Sequence, residues 1–489
     1  MFGAHAISHH PPTMQRPNIL YFVCHDIGRH LPMYHVPVPA PNLDRFAQQS
    51  IVLEQMHCAS AACTPSRNCA MTGLPAHQSG GIGLAHMGWP LPQSVRTITD
   101  YLNEAGYETI HSGMQHERHP RTNPYQVDLQ SHWNDGQARR GVEKALAYLA
   151  QRDRSRPFYL NIGTQEPHPS TWGKAEERFG GVTPPEKVYL PPAVPDTPLM
   201  REKFGQFQSA IRYLDEHWGR LINGLKELGH DRDTLVVFTT DHGINHGRGK
   251  GTLYDAGTEI ACLVRMPEGQ HAARRESALL SNLDFLPTFL EAAGAEIPEG
   301  LGGKSFLPLL EGNDWEPHSA IFTERNFHGE TRIQAPPGDP FSLPTYVDRF
   351  DPVRAIRTGT YHYIRWFDPG VKPRAPLPWE FESATGIGDP SEPWEMPRKS
   401  HPRPAEELYL VARDPYEHFN VAAQPEFAAI KQDLANRLQA WMKATDDFVI
   451  RGEVPQRYES PGWGEWDAMP WDEAEAEAKG LIPTTRLTS

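Results

Sequence analysis

Asn18-Ile19-Leu20-Tyr21-Phe22-Val23-Cys24 is a continuous apolar run, and the polar pair His25-Asp26 follows it directly. A run of this length predicts a strand that is buried on both faces. Similar runs occupy residues 157–163, 234–240 and 260–266, and helical patterns occupy residues 41–49, 96–105, 141–151 and 203–228. Because buried strands alternate with amphipathic helices, we predict an α/β fold with a large, mixed, mainly parallel sheet between helices.

The composition and the hydrophobic pattern of the sequence change after about residue 338. Proline-rich stretches at residues 336–352 and 369–404 flank segment 355–367, which alternates like a strand, and a helical pattern covers residues 425–446. These patterns predict a smaller C-terminal α+β subdomain. Since 489 residues exceed the size of one hydrophobic core, we divide the chain into an N-terminal extension (1–17), a catalytic domain (18–345) and a C-terminal subdomain with a small antiparallel sheet, a terminal helix and a tail (346–489).

The composition excludes several classes of partner. The formal net charge is −14 and no run is rich in lysine and arginine, so nucleic acid is excluded and an anionic substrate must be held by local positive charge. No apolar run approaches the ~20 residues of a membrane-spanning helix, so we expect no membrane partner. The N-terminal residues lack the pattern of a secretory signal, and the five cysteines are an odd number, which favours reduced thiols. We therefore predict a cytoplasmic protein, with a homo-oligomer left open.

Two pairs of aspartate and histidine stand directly after buried strands. His25-Asp26 follows the first run, and Asp241-His242 follows the run at residues 234–240. Active sites of parallel sheets gather beyond the carboxyl ends of the strands, so the two pairs can converge on one cation. Carboxylate oxygens suit Ca²⁺ or Mg²⁺, and imidazole widens the choice to Mn²⁺. The alternative is that each aspartate caps a helix that follows its strand.

The run Cys63-Thr64-Pro65-Ser66-Arg67, with Thr72-Gly73 behind it, resembles the signature from which sulfatases make their nucleophile. An ordinary loop is the alternative, because short motifs recur by chance. The resemblance spans nearly the whole chain and is nearest to the N-sulfoglucosamine sulfohydrolase (heparan N-sulfatase) branch, through residues 74–80 and 83–84. It implies an alkaline-phosphatase-like sulfatase fold, one divalent cation (usually Ca²⁺), and formylglycine made from Cys63 by a formylglycine-generating maturation enzyme.

The resemblance also assigns roles residue by residue. Arg67 lies one helical turn after Cys63 if the motif opens a helix, and its permanent charge would hold the hydrated aldehyde. Residues 113–116 resemble the family's G-K-x-H, which makes His116 the base that expels sulfate. Residues 166–168 resemble its D-P-H, which makes His168 the acid for the leaving group, and Lys250 matches the lysine that grips sulfate. The implied metal ligands are His25, Asp26, Cys63, Asp241 and His242.

Two positions depart from the family's pattern. His25 stands where the family has an aspartate, which removes one negative charge and makes Mn²⁺ a candidate beside Ca²⁺ and Mg²⁺. Met114 stands where the family has the lysine of G-K-x-H, and Arg118 and His119 are candidates to replace its charge. The structural alternatives are a surface histidine at position 116 and a flexible basic turn around position 250.

Four further residues are candidates for contact with the substrate. His77 and His86 flank a glycine-rich segment, where a structural role is the alternative. Arg325 and His328 belong to a loop that we predict after a strand at residues 319–323.

These residues predict a sulfuric ester or sulfamate hydrolase. Its substrate would be a small sulfated carbohydrate, either a sulfated amino sugar or a short glycosaminoglycan fragment, and its product inorganic sulfate. A phosphodiesterase or phosphonate monoester hydrolase of the same superfamily is one alternative, because it shares the metal and the nucleophile. A degenerate member that binds sulfated ligands without turnover is the other.

Overall fold

A computed structural model describes residues 16–118, 122–130, 137–174, 178–192, 194, 196–245, 248–327, 331–333, 345–347, 350–369 and 403–456. The first eight strands in these ranges form the large sheet: β1 (Asn18–Cys24), β2 (Ile51–His57), β3 (Glu108–Gly113), β4 (Val127–Gln130), β5 (Phe158–Gly163), β6 (Thr234–Thr240), β7 (Cys262–Arg265) and β8 (Arg274–Ser281). The α-helices of the same ranges are α1 (Pro41–Ala47), α2 (Cys63–Thr72), α3 (Ala76–Ser79), α4 (Ile98–Glu104), α5 (Gln137–Gln151), α6 (Pro198–Glu227), α7 (Asp255–Thr258), α8 (Phe285–Ala292), α9 (Leu307–Leu310) and α10 (Ala428–Ala444).

The strand order of the large sheet is β4-β3-β5-β1-β6-β7-β2-β8. Every neighbouring pair is parallel except the two that involve β7, which is antiparallel to β6 and β2. The prediction of a mixed, mainly parallel sheet is therefore confirmed. β1 coincides with the predicted run and lies at the centre, where every one of its residues is buried.

Alternate residues of β1 support two separate layers of core. Phe22 faces α6, where its ring meets Trp218 edge to face at 5.2 Å. Tyr21 faces the opposite side and meets Phe285 of α8 at 5.4 Å. Each fully buried aromatic side chain of this kind contributes about 1.5–3 kcal/mol of transfer free energy. Helices thus cover both faces of the sheet and fix the strands whose ends carry the polar pairs.

A smaller sheet forms the C-terminal part, with the strands β9 (Ile321–Phe327), β12 (Phe350–Arg357), β13 (Tyr361–Trp366) and β14 (Glu406–Leu410) in the antiparallel order β14-β13-β12-β9. A separate pair joins β10 (Thr331–Ile333) and β11 (Thr345–Val347). The alternating segment 355–367, predicted as one strand, is divided between β12 and β13 by a turn at residues 358–360. β9 precedes the predicted boundary at residue 345 but pairs within the small sheet, and the boundary itself stays a prediction.

None of the described helices has the apolar length required to span a bilayer, the 30-residue α6 included.

Candidate active site

The two Asp/His pairs meet because β1 and β6 end side by side, with Cys24 opposite Thr240 in the register. His25 Nδ1 lies 2.9 Å from Asp241 Oδ2, and His242 Nε2 lies 3.3 Å from Asp26 Oδ1. All four side chains are fully buried. No helix begins in residues 25–31 or 241–245, so neither aspartate caps one there.

Cys63 is the first residue of α2, so the motif opens a helix and Arg67 lies one helical turn after Cys63. Its sulfur lies 3.4 Å from His242 Nε2. Burial opposes ionisation of this thiol, but the nearby charges of Lys250, His25 and His242 hold its pKa well below the usual value. The sulfur therefore sits in a strongly electropositive pocket at the start of a helix.

Five buried residues form a cluster that fits one divalent cation, since one ligand atom from each lies within 4.8 Å of the others: His25, Asp26, Cys63, Asp241 and His242. Two carboxylates match the charge of such an ion. Against the effect of burial, Lys250 and His242 lower the pKa of Asp26 to about 2, so this carboxylate stays ionised. Burial disfavours the imidazolium of His25, but Asp241 raises its pKa to about 10. Binding a cation at this cluster would displace such protons.

Arg67 and Lys250 bring permanent positive charge to the cluster. Arg67 donates through Nε to Asp241 Oδ2 at 3.2 Å and is 2% exposed. Lys250 Nζ lies 3.1 Å from both carboxylate oxygens of Asp26. The loop turns sharply after Lys250, since Gly251 has a φ of +79°, which glycine adopts without strain.

His116 and His168 flank the same cluster. The rings of His25 and His168 lie 5.4 Å apart, and those of His25 and His116 lie 6.4 Å apart. The side chain of His116 is also close enough to Cys63 to help lower the pKa of its thiol. Burial, reinforced by the charge of Lys250, lowers the pKa of His168 to about 3. Two imidazoles therefore stand on either side of the metal cluster, as a base and an acid would.

Comparison with known proteins places this geometry in a family. The family model described as Sulfatase matches residues 17–295. The chain belongs to the sulfatase family. An ulvan-active sulfatase of Formosa agariphila is 26% identical over 457 residues, which cover 90% of this chain and 82% of the relative. The N-sulphoglucosamine sulphohydrolase of Homo sapiens is 26% identical over 456 residues, which cover 84% and 86%.

Solved structures share the fold of this sulfatase. A protein in complex with its substrate D-glucosamine-2-N,6-O-disulfate has a TM-score of 0.63 at 19% identity, over 88% of this chain and 99% of the other. The phosphonate monoester hydrolase of Agrobacterium radiobacter has a TM-score of 0.65 at 18% identity, over 88% and 96%. The predicted fold and the enzyme class, a sulfuric ester or sulfamate hydrolase, are confirmed. The phosphonate hydrolase is a relative in fold alone.

Arg118 does not replace the lysine that this sulfatase lacks at Met114. Its guanidinium donates to the carbonyl of Val95 and lies 3.7 Å from Asp100, away from the metal cluster. His119, the other candidate, lies outside the described residues. Met114 is buried, and its amide donates to the carbonyl of Gly163 at 2.9 Å.

The described candidates for substrate contact are bound to other residues of the protein. The Nδ1 atom of His77 lies 3.1 Å from both oxygens of Glu324, and its ring meets Trp441 edge to face at 5.4 Å. Arg325 lies within β9 rather than in a loop, and donates to the carbonyl of Gly251 at 2.5 Å. Both side chains make packing and support contacts, and their roles toward a substrate stay predictions. His328 lies outside the described residues.

Two further residues contact the candidate base and the helix of the nucleophile. His86 Nδ1 lies 3.0 Å from His116 Nε2, with the two rings stacked 5.2 Å apart, so it orients the candidate base. Asn282 donates to the carbonyl and the hydroxyl of Ser66 at 2.9 and 3.0 Å, which braces the first turn of α2. The sequence names His86 as a candidate contact of the sugar but does not show its place beside His116, and no sequence signal points to Asn282.

Proposed function

We propose that this sulfatase removes sulfate from a sulfated amino sugar or a short glycosaminoglycan fragment, either as a sulfate ester or as a sulfamate. The observation that carries the proposal is the position of Cys63 at the start of α2, against a five-residue cation cluster and between two histidines. The names of the relatives, which act on ulvan and on N-sulphoglucosamine, support a sulfated carbohydrate.

The nucleophile of the proposal is formylglycine, made from Cys63 by a maturation enzyme. A plain thiolate would attack sulfur and leave a stable adduct, whereas a hydrated aldehyde supplies a second hydroxyl whose ionisation expels sulfate. His116, which lies beside this position and is oriented by His86, is the proposed acceptor of that proton. The guanidinium group of Arg67 does not lose its proton, so its positive charge stays beside the formylglycine throughout the reaction.

Lys250 acts on the sulfuryl oxygens, and His168 acts on the leaving group. Lys250 supplies charge that stabilises the sulfuryl oxygens as negative charge develops on them. His168 is the group that protonates the leaving oxygen or nitrogen, and its Nδ1 lies 2.9 Å from the hydroxyl of Ser170, which fixes the ring. An anionic substrate beside the ring would offset the charge of Lys250 and raise the pKa of His168 from its low value, which favours proton uptake.

Ca²⁺ is the proposed ion, with Mn²⁺ and Mg²⁺ as alternatives. When bound, it would polarise the sulfuryl group and the nucleophile. The ligands would be His25, Asp26, Asp241 and His242 with the residue at position 63. One imidazole in place of a carboxylate makes this donor set softer than an all-oxygen site, which is why Mn²⁺ stays in the comparison.

Release of inorganic sulfate from glucosamine N-sulfate and from its 6-O-sulfated isomer tests the proposal. The chain is produced together with a formylglycine-generating enzyme, and conversion at position 63 is verified by mass spectrometry before assay with Ca²⁺ or Mn²⁺. Release from the N-sulfate alone establishes a sulfamidase, and release from the 6-O-sulfate alone establishes a sugar O-sulfatase. Cys63→Ala should be inactive on either. Silence of the fully converted protein on both sugars, with turnover of an aryl phosphonate, would overturn the proposal.

A further inference from the structure

A second basic cleft lies on the helical face of the large sheet, and none of the metal-cluster residues lines it. Its volume is about 870 Å³, and it lies between α5, α6 and the segment 178–180. The described lining includes five arginines: Arg139, Arg140, Arg178, Arg212 and Arg220. Such a concentration is unexpected on a chain whose formal net charge is −14.

The acidic residues of the lining do not cancel this charge. Asp215 is buried and accepts the amide N–H groups of Asn42 and Leu43 at 3.1 and 2.7 Å, so its carboxylate is occupied at the start of α1. Glu216 pairs with Arg220 at 2.5 Å. Glu143 is the remaining acid of the described lining. The described lining thus contains three acids and five arginines, and Glu216 forms an ion pair with one of these arginines, Arg220.

The start of α5 adds to the positive field. This helix has no acidic residue in its first turn and instead carries Arg139 and Arg140 there. Cations at a helix N-terminus oppose the helix dipole, so an anion bound there is favoured by the dipole and by these side chains together. The buried Glu166 accepts one amide N–H of that turn, from Ala138 at 3.0 Å.

A buried side chain of the lining independently points to a ligand. His217 is 2% exposed, and its Nδ1 atom has no hydrogen-bond partner in the described part of the chain. Its ring meets that of Tyr213, another lining residue, at 4.4 Å. Orphaned polar atoms of this kind are rare in buried positions, because burial removes their hydrogen bonds to water without replacing them. A hydroxyl group in the cleft would satisfy it.

We propose that this cleft binds an anionic group, a sulfate or a carboxylate, of a sulfated oligosaccharide. Guanidinium groups match the oxyanion in charge and in the fork of their donors. Tyr213 and Phe179 provide the aromatic surface against which a sugar ring packs, and His217 provides a hydrogen bond to a sugar hydroxyl. Binding of an oxyanion rests on the cleft alone, whereas the oligosaccharide as its source rests on the proposed function.

Protection of arginines against phenylglyoxal tests this site without any turnover. The full chain carrying Cys63→Ala is modified alone, with a heparin-type sulfated tetrasaccharide, with a neutral N-acetylglucosamine tetrasaccharide, or with inorganic sulfate. Peptide mass spectrometry then gives a rate for each arginine. Arg139 and Arg178 are the reporters, and Arg413 of the C-terminal subdomain, which is exposed, is the control.

The sulfated tetrasaccharide should slow both reporters and leave Arg413 unchanged, and the neutral sugar should slow none of them. Equal rates with the sulfated sugar, with inorganic sulfate and with neither overturn the site. Protection by inorganic sulfate but not by the tetrasaccharide overturns only the oligosaccharide as its ligand. In calorimetry, Arg139→Ala combined with Arg178→Ala should weaken binding of the tetrasaccharide about fivefold, as two partly exposed charge pairs predict, while Arg413→Ala leaves it unchanged.

These outcomes separate the cleft from the reaction. Protection of both reporters in a chain that releases no sulfate from any sugar would support the cleft and count against the proposed function. Sulfate release by the converted wild-type chain, with neither reporter protected, would overturn the cleft alone.

Discussion

Arg325→Met should reduce activity through the loop that carries Lys250. Arg325 donates to the carbonyl of Gly251 at 2.5 Å, and the amide of Gly251 donates to the carbonyl of Ala61 at 2.7 Å. Ala61 lies two residues before Cys63. The residue after Lys250 is thus held by the C-terminal sheet on one side and by the segment of the nucleophile on the other. Methionine keeps the packing volume but removes the donor.

The expected magnitude comes from that one contact. A hydrogen bond from a charged donor contributes about 1.5–3 kcal/mol, and Arg325 is 8% exposed, so water replaces little of it. If the loop relaxes, this loss appears as misplacement of Lys250 relative to Asp26. Since about 1.36 kcal/mol corresponds to a tenfold change in rate, kcat/KM should fall about 10- to 150-fold.

The assay is hydrolysis of 4-nitrophenyl sulfate in a double-mutant cycle with Lys250→Ala. Arg403→Met is the matched control. Arg325 and Arg403 both pair with the carboxylate of Asp351, Arg403 at 2.7 Å. Arg403 also lies over Trp366 at 4.0 Å, and its described contacts do not include Gly251. The control variant should lower stability while kcat/KM stays near wild type. Equal loss from Arg325→Met in the presence and absence of Lys250 would refute the reasoning.

Four other perturbations test separate parts of the molecule. His168→Ala should slow hydrolysis of sugar sulfates far more than that of 4-nitrophenyl sulfate, whose leaving group needs no acid; equal loss on both contradicts the acid role. Removal of the metal by a chelator should abolish sulfate release and lower the unfolding temperature, because the buried carboxylates lose their counter-charge. The ion that restores both measurements identifies the metal. Full activity of protein shown to be metal-free by mass spectrometry contradicts the site. Arg354→Met should cost about 3–5 kcal/mol in urea unfolding, because it leaves the fully buried Asp447, now 2.6 Å from the guanidinium, without its partner; a loss under about 1 kcal/mol would contradict the buried pair. His25→Asp should reduce kcat, and Met114→Lys added to it should restore part of that loss; a double variant no better than the single one argues against compensation.

The sequence predicts the centre of the large sheet better than its edges. β1 and β6 are buried along their whole length, so apolarity alone marks them. β8, at the sheet edge, begins with Arg274, Arg275 and Glu276, and alternates between half-buried and exposed positions there. An edge strand is specified by pairing with its single neighbour, here β2, and apolar runs cannot reveal that.

In the candidate site, the sequence predicts the residues at strand ends but not the contacts between distant parts of the chain. The rule that ligands gather beyond strand ends was sufficient to bring His25 and Asp241 together, because adjacent parallel strands end at one edge. The stacking of His86 on His116 depends on a loop 30 residues away along the chain, and the support of Gly251 by Arg325 spans 74 residues. Arg325 was placed in a loop because β9 was expected to end at residue 323, and it continues to Phe327. Tertiary contacts of this separation leave no local pattern.

The two departures from the family pattern concern opposite charges. His25 removes one negative charge from the metal cluster, and Met114 removes one positive charge from the segment that leads to His116. Met114 is bonded to Gly163, which β5 places beside β1 and therefore one strand from His25. A buried site tolerates a change in net charge poorly, because the uncompensated charge is desolvated. Once a bound cation has displaced the proton of His25, either substitution alone would leave such a charge, whereas the two together leave the sum unchanged. This balance supports the proposal that the cluster still binds a cation.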